Sequence, residues 1–191
     1  KIALSNDSTN YKITSGAIYT ADGKTLVVVA HNTTRTLKVA KGTEVISANA
    51  FDLARKIATI TFPDSLKTVE DYALDTTAWY NAQNEGQIYA GKLLYKVTGN
   101  TPEVKIADGT LAVSEGAVSN QTVKTVTIPN TVKVIGANAF KNSSIEKITI
   151  PASVVAIGNN AFQNATALEK VKLSKNLEVM GKAIFKDCSS L

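Results

Sequence analysis

The chain repeats one pattern of apolar and polar positions about every 22 residues. Residues 126–140 (VTIPNTVKVIGANAF) and 148–162 (ITIPASVVAIGNNAF) are identical at nine of their fifteen positions. In each copy aliphatic residues alternate with polar ones, which predicts a half-buried strand, and a proline then ends that strand. A second extended segment and an Ala-Phe pair follow. Between them lie Gly136, Gly158 and Gly181 in successive copies, where we expect each glycine to permit a tight bend.

Six copies of this pattern are found along the chain. Their terminal apolar residues are Phe51, Leu74, Val118, Phe140, Phe162 and Phe185. Repetition at this period indicates a solenoid, because one turn cannot bury its own apolar side, whereas stacked turns form a continuous core. We therefore predict a mainly β, right-handed solenoid with parallel strands, in which residues at equivalent positions stack in columns.

Two further segments resemble each other, GAIYTADGKTLVVV (16–29) and GQIYAGKLLYKV (86–97). In both, a glycine-containing turn separates apolar strands, which predicts a β-hairpin. We expect the first hairpin to cap the open end of the core and the second to interrupt the array of repeats. The predicted organisation is an N-terminal hairpin or cap (1–35), repeats 1 and 2 (36–78), an inserted hairpin region (79–103), and repeats 3 to 6 with the start of a further repeat (104–191).

The Ile-Pro, Ile-Gly and Ala-Phe columns together resemble the bacterial leucine-rich repeats of the BspA type, over residues 36–191. The stretch AWYNAQNEGQIYAGKLLYKV (78–97) is similar to an insertion common in those proteins. The resemblance implies a secreted or surface-anchored bacterial protein, and for some members adhesion to host proteins or other cells. Cys188 occupies the column in which the family often has a cysteine, and we expect it to fill space in the core.

Composition narrows the choice of function. Lysines are scattered through a chain of net charge +5, so no nucleic-acid site is predicted. No apolar run reaches the length of about 18 residues that suggests a membrane helix. His31 is the only histidine and is expected at the surface, so neither a metal site nor another cofactor is predicted. Asp64, Asp71 and Asp75 fall in polar turns, where solvation is the expected role, and we predict that the protein is not an enzyme.

The candidate binding residues are outward positions of the predicted strands. They are Lys38, Thr59, Thr61, Lys105, Thr125, Thr127, Lys147, Thr149, Lys170 and Lys172. Threonine suits an exposed strand and lysine keeps it soluble, which accounts for this face without a ligand. The alternative is a contact surface for an acidic or polar macromolecule. Trp79 and Tyr80 are possible aromatic contacts, although packing of Trp79 against the second hairpin is the favoured interpretation.

These observations predict a non-catalytic extracellular or cell-surface binding module. Its partner would be a protein or a glycan, including ones from a host, held on the concave face of the solenoid. The alternative is a structural spacer or stalk that has no ligand of its own.

Overall fold

The structure, a computed structural model, describes residues 8–30, 35–120 and 122–191. His31 lies outside the described residues. The chain forms two compact units, Lys1–Asn84 and Glu85–Leu191. The strands of the first unit are β1 (Tyr11–Thr14), β2 (Ala17–Thr20), β3 (Thr25–Val29), β4 (Thr36–Lys38), β5 (Val45–Ile46), β6 (Thr59–Thr61) and β7 (Thr68–Val69), followed by the short helix α1 (Ala78–Asn81).

The strands of the second unit follow the same plan. They are β8 (Gln87–Ala90), β9 (Leu93–Val97), β10 (Glu103–Lys105), β11 (Ala112–Val113), β12 (Thr125–Thr127), β13 (Val134–Ile135), β14 (Lys147–Thr149), β15 (Ala156–Ile157), β16 (Lys170–Lys172) and β17 (Val179–Met180). Each repeat thus contributes one three-residue strand and one two-residue strand, which lie in different sheets.

Parallel pairing between successive repeats builds both units. In the first, the sheets have the orders β1-β2-β3-β5-β7 and β4-β6. In the second, they have the orders β8-β9-β11-β13-β15-β17 and β10-β12-β14-β16. Among the strands of the described residues, only the pairs β1–β2, β2–β3 and β8–β9 are antiparallel. The predicted mainly β solenoid with parallel strands and two hairpins is therefore confirmed.

Stacked phenylalanines run through the core of the second unit. The rings of Phe140 and Phe162 lie 5.0 Å apart between centroids, and those of Phe162 and Phe185 lie 5.5 Å apart. The Phe140 N–H also donates to the carbonyl of Ala161 at 2.7 Å, so the backbones follow the same register as the rings. In the first unit, Phe51 is fully buried in the equivalent position. The predicted stacking of like residues on like is confirmed in the second unit.

Each hairpin provides the first layer of its unit. Strand β3 pairs in parallel with β5, and β9 pairs in parallel with β11, so the second hairpin begins a stack as the first does. A tyrosine in each hairpin holds the turn of the following repeat. The Tyr19 hydroxyl accepts from the Ala40 N–H at 3.1 Å, and the Tyr89 hydroxyl accepts from the Ala107 N–H at 2.9 Å. The tyrosine of the shared Gly-x-Ile-Tyr sequence therefore makes the same hydrogen bond in both units.

The repeated glycines have a different function from the one predicted. Gly136, Gly158 and Gly181 do not have positive φ, so the tight-bend interpretation is wrong for them. A Cβ on Gly158 would lie 2.4 Å from the backbone nitrogen of Ala137, and a Cβ on Gly181 would lie equally close to that of Asn159. These glycines are required because the backbone of the preceding turn passes too close for any side chain.

Left-handed backbone occurs instead two residues before the terminal apolar residue of each repeat. Asn49, Asn138 and Asn160 have φ of 56°, 54° and 55°. Asparagine tolerates this conformation better than most residues. Tyr72 and Ala183 adopt it at the equivalent positions with φ of 58° and 53°, which places two poorly suited residues in strained turns.

Cys188 packs against the apolar core, as its small-residue column predicts. Its thiol donates to the carbonyl of Phe162 at 3.0 Å. Burial raises the pKa of the Cys188 thiol, so the reactive thiolate is disfavoured.

Candidate binding face

Side chains of the four-stranded sheet form an exposed face on the second unit. The central residues of β10, β12 and β14 point inward and are buried, while the residues on either side of them are exposed. In β16 the flanking residues are also exposed and the central Val171 is half-buried. The exposed set, here called the lysine face, consists of Glu103, Lys105, Thr125, Thr127, Lys147, Thr149, Lys170 and Lys172.

Parallel register aligns these side chains in columns. Thr125 pairs with both Glu103 and Lys147, and Lys147 pairs in turn with Lys170. Farther along the strands, Lys105 pairs with Thr127, and Thr149 pairs with Lys172. The structure therefore brings seven of the sequence-predicted candidates together with Glu103, which the candidate set omits although it shares their column.

Lys38, Thr59 and Thr61 lie on the first unit, on β4 and β6. Lys38 and Thr61 are register partners, and all three side chains are exposed. These residues form a smaller face of only two strands. The repeat makes these positions equivalent to those of the lysine face, but two of the three residues are threonine.

Trp79 and Tyr80 lie on α1 and are both half-buried. The ring of Trp79 meets that of Phe62 edge-on, with 5.5 Å between centroids and 71° between planes. The backbone N–H of Trp79 also donates to the carbonyl of Ile57 at 2.8 Å. Trp79 therefore has a packing role against its own unit, on Phe62. The sequence shows both aromatic residues but has no local signal for this pairing.

A groove of about 680 Å³ lies on the lysine face, across β12, β14 and β16. Three lysines, Lys147, Lys170 and Lys172, are among the residues that line it. Ile128 and Pro151 add apolar surface where the strands end. This lysine groove combines positive charge with exposed hydroxyl and apolar surface, which suits a polar macromolecular ligand more than a small apolar one.

The lysines of the groove are weakly neutralised. Lys147 Nζ lies 3.9 Å from Glu169 Oε2, and the two side chains are 68% and 59% exposed. Such exposed pairs contribute little free energy. Lys170 and Lys172 make no ion pair with any other described residue. Glu146 and Glu169 precede β14 and β16, so the acidic groups lie at the start of the strands and do not line the groove.

Groups with shifted pKa lie elsewhere. In the first unit, a hydrogen bond from Thr20 lowers the pKa of Asp22, and one from Lys67 lowers that of Glu44. Both carboxylates belong to the hairpin and its neighbouring strands and serve local structure. Within residues 8–30, 35–120 and 122–191, no three His, Cys, Asp or Glu side chains are grouped as metal ligands would be. None of the helices among these residues is long and apolar enough to span a membrane.

The stacked repeats, parallel strands and exposed strand face define a leucine-rich-repeat solenoid. The chain belongs to the BspA type leucine rich repeat region family, of which six copies match residues 30–88 and 88–191. Proteins of this class are generally non-catalytic modules for interaction with other proteins. No curated protein matches the chain significantly.

Several solved structures are similar to this chain at low sequence identity. A leucine-rich repeat protein from Eubacterium ventriosum is 17% identical with a TM-score of 0.45, and the match covers 98% of this chain and 46% of that one. The T. pallidum leucine rich repeat protein is 17% identical with a TM-score of 0.42, covering 95% and 86%. A leucine rich cell surface protein from Faecalibacterium prausnitzii is 15% identical with a TM-score of 0.33, covering 95% and 72%. The chain thus spans less than half the length of the Eubacterium protein.

Proposed function

We propose that this chain is a non-catalytic binding module that acts at the bacterial cell surface and holds a protein partner on the lysine face. The observation that carries the proposal is the arrangement of that face. Its side chains lie in register on adjacent strands and are exposed, while the residues between them hold the core together. Surface and scaffold are therefore separable, so the outward residues can be changed without disturbing the fold.

Support for the cell-surface location comes from the resemblance to BspA-type proteins. A glycan partner is compatible with the hydroxyl-rich strands, but the family is one of protein-interaction modules and favours a protein. Nucleic acid is a poor fit, because Glu103, Glu146 and Glu169 interrupt the positive charge along the sheet.

The proposal is tested by screening the chain against an array of bacterial and host surface proteins and glycans. The face variant carries Lys105→Glu, Lys147→Glu, Lys170→Glu and Lys172→Glu. The control variant has the same change in charge at exposed lysines of the same unit that do not line the groove, namely Lys133→Glu, Lys175→Glu, Lys182→Glu and Lys186→Glu.

We expect the control variant to retain every partner and the face variant to lose them. Unchanged binding by the face variant would refute the assignment of this face. A wild-type chain that binds nothing on the array would favour the spacer or stalk alternative.

A further inference from the structure

We propose that the lysine groove takes a specific class of partner, an extended acidic peptide segment whose carboxylates meet Lys147, Lys170 and Lys172. This inference rests on the proposed function and narrows it to a ligand chemistry. It follows from the placement of charge in the groove, from the spacing of the lysines, and from the surface beside them.

Like charges are placed side by side in the groove. Lys147 and Lys170 are direct register partners on neighbouring strands, which lie about 4.8 Å apart. Two lysines opposite each other in a sheet repel and reduce stability. At the same column one repeat earlier the residue is Thr125, so the fold does not require a lysine there. An anionic ligand is the group that would turn this repulsion into attraction.

The spacing of the lysines matches an extended polypeptide. Lys170 and Lys172 are two residues apart on β16 and both point outward, so their Cα atoms are separated by about 6.6 Å. An extended peptide places every second side chain on one side at the same spacing. Carboxylates at alternate positions of such a peptide can therefore each face one lysine, while Lys147 on the adjacent strand reaches a third.

The rest of the groove also favours a peptide. Thr127, Thr149 and Asn130 offer hydroxyl and amide groups that can bond with a peptide backbone, and Ile128 and Pro151 offer apolar contact. No residue that lines the groove is aromatic, so it lacks the flat surface on which sugar rings stack. Glu146 and Glu169 are not among the residues that line the groove, although Glu169 Oε2 lies 3.9 Å from the Nζ of Lys147.

Protection of a sheet edge explains only part of the pattern. Within residues 122–191, strand β16 is the last strand of its sheet, and lysines on an edge strand discourage pairing with other chains. Strand β14 has neighbours on both sides, however, so Lys147 cannot serve that purpose. Lys147 on the interior strand β14 is therefore explained by a ligand groove and not by edge protection.

The test uses the whole chain and a fluorescein-labelled peptide of about ten residues in which Glu and Thr alternate. A peptide with Gln in place of Glu and a sulfated heparin oligosaccharide are the comparison probes. Binding is measured by fluorescence anisotropy at low salt and again at about 0.15 M ionic strength, where exposed charges are partly screened. The groove variant is Lys170→Gln with Lys172→Gln, and the matched control is Lys175→Gln with Lys182→Gln.

We expect the Glu peptide to bind the wild-type chain, the affinity to fall with salt, and the groove variant to bind about tenfold more weakly, since two charge pairs are lost. The control variant should bind as the wild type does. In thermal unfolding, Lys170→Gln alone should leave the transition temperature unchanged or raise it, because it removes the repulsion from Lys147. A lower transition temperature would overturn the repulsion argument and with it the proposal.

Several other results would overturn it. Equal binding of the Gln and Glu peptides, unchanged binding by the groove variant, or no peptide binding would each refute an acidic peptide ligand. Preference for the oligosaccharide would identify an anionic glycan instead. Self-association of the groove variant with unaltered peptide binding would assign Lys170 and Lys172 to edge protection. In each of these cases the proposed function still stands if the face variant loses the partners found on the array. If the face variant keeps those partners, the proposed function itself fails.

Discussion

Replacement of Gly158 by alanine tests the stacking of the repeats at its tightest point. A Cβ at this position would lie 2.4 Å from the nitrogen and 2.8 Å from the Cα of Ala137, and 2.7 Å from the carbonyl carbon of Gly136. All three atoms belong to the backbone of the preceding turn, so no side-chain rotation can relieve the contact. The two turns must move apart, which also strains the hydrogen bond from the Gly158 N–H to the Ile135 carbonyl at 2.8 Å.

We expect the Gly158→Ala variant to lose about 3 kcal/mol of unfolding free energy, at the upper end of the usual overpacking range. That loss is a large part of a typical domain stability of about 5–15 kcal/mol. The assay is urea unfolding followed by circular dichroism, because the single tryptophan, Trp79, lies outside the unit that contains Gly158. A lower urea midpoint at an unchanged slope would show a loss of stability in the same folded unit.

Gly109→Ala is the matched control. Gly109 has φ of 86°, and no other atom lies within 4 Å of a Cβ built on it. The alanine there is strained by its backbone conformation alone, which costs about 1–2 kcal/mol. Asparagine at position 109 should recover part of this loss, whereas asparagine at position 158 should recover none. If Gly158→Ala is no more destabilising than Gly109→Ala, close approach of the turns is not the reason for the glycine column.

Three further predictions concern single positions in the first unit, one of which is compared with the equivalent position in the second. Tyr72 is 59% exposed and its backbone is left-handed, so Tyr72→Asn should relieve strain, stabilise the protein by about 0.5–1 kcal/mol and raise its transition temperature. A decrease would show that the contacts of the tyrosine side chain outweigh the relieved strain. The hydrogen bond from Lys67 lowers the pKa of Glu44. The contribution of Glu44 to the free energy of unfolding is therefore complete above the ordinary glutamate pKa and is lost as pH falls below about 4.3. The urea midpoint of Glu44→Gln should therefore change less between pH 7 and that acidic range than the wild-type midpoint does, and an identical acid sensitivity would contradict this. Tyr19→Phe should lower the free energy of unfolding by about 1–3 kcal/mol, and Tyr89→Phe should lower it less. The reason is that Tyr19 is fully buried and that the Ala40 N–H it accepts from is less accessible to water than the Ala107 N–H. Equal losses of stability in chemical denaturation would show that burial does not set the strength of these two tyrosine hydrogen bonds.

Repetition made much of the fold predictable. The period of 22 residues aligns Phe140 with Phe162, and the alternation within each repeat separates inward from outward residues. Both signals are local and recur, so they identify the strands, the core column and the lysine face without any coordinates. The columns of candidate residues could be written from the sequence because stacking places equivalent positions beside each other.

Other features depend on distances between segments that the pattern does not relate. The sequence shows Gly158 in a repeated column, but only the fold shows that a neighbouring backbone excludes a side chain there. Packing of Trp79 on Phe62 joins a helix to the residue that follows β6, and no sequence motif relates the two.

Sequence alone therefore determined the repeat, its strands and the composition of its exposed face, because these follow from the order of apolar and polar residues within about 22 positions. Tertiary structure alone decided which lysines share a groove, which glutamates stay outside it, and that each hairpin opens a stack of its own. The physical reason is that charge placement and close contact are set by the separation of atoms from different turns, which is fixed only when the turns pack together.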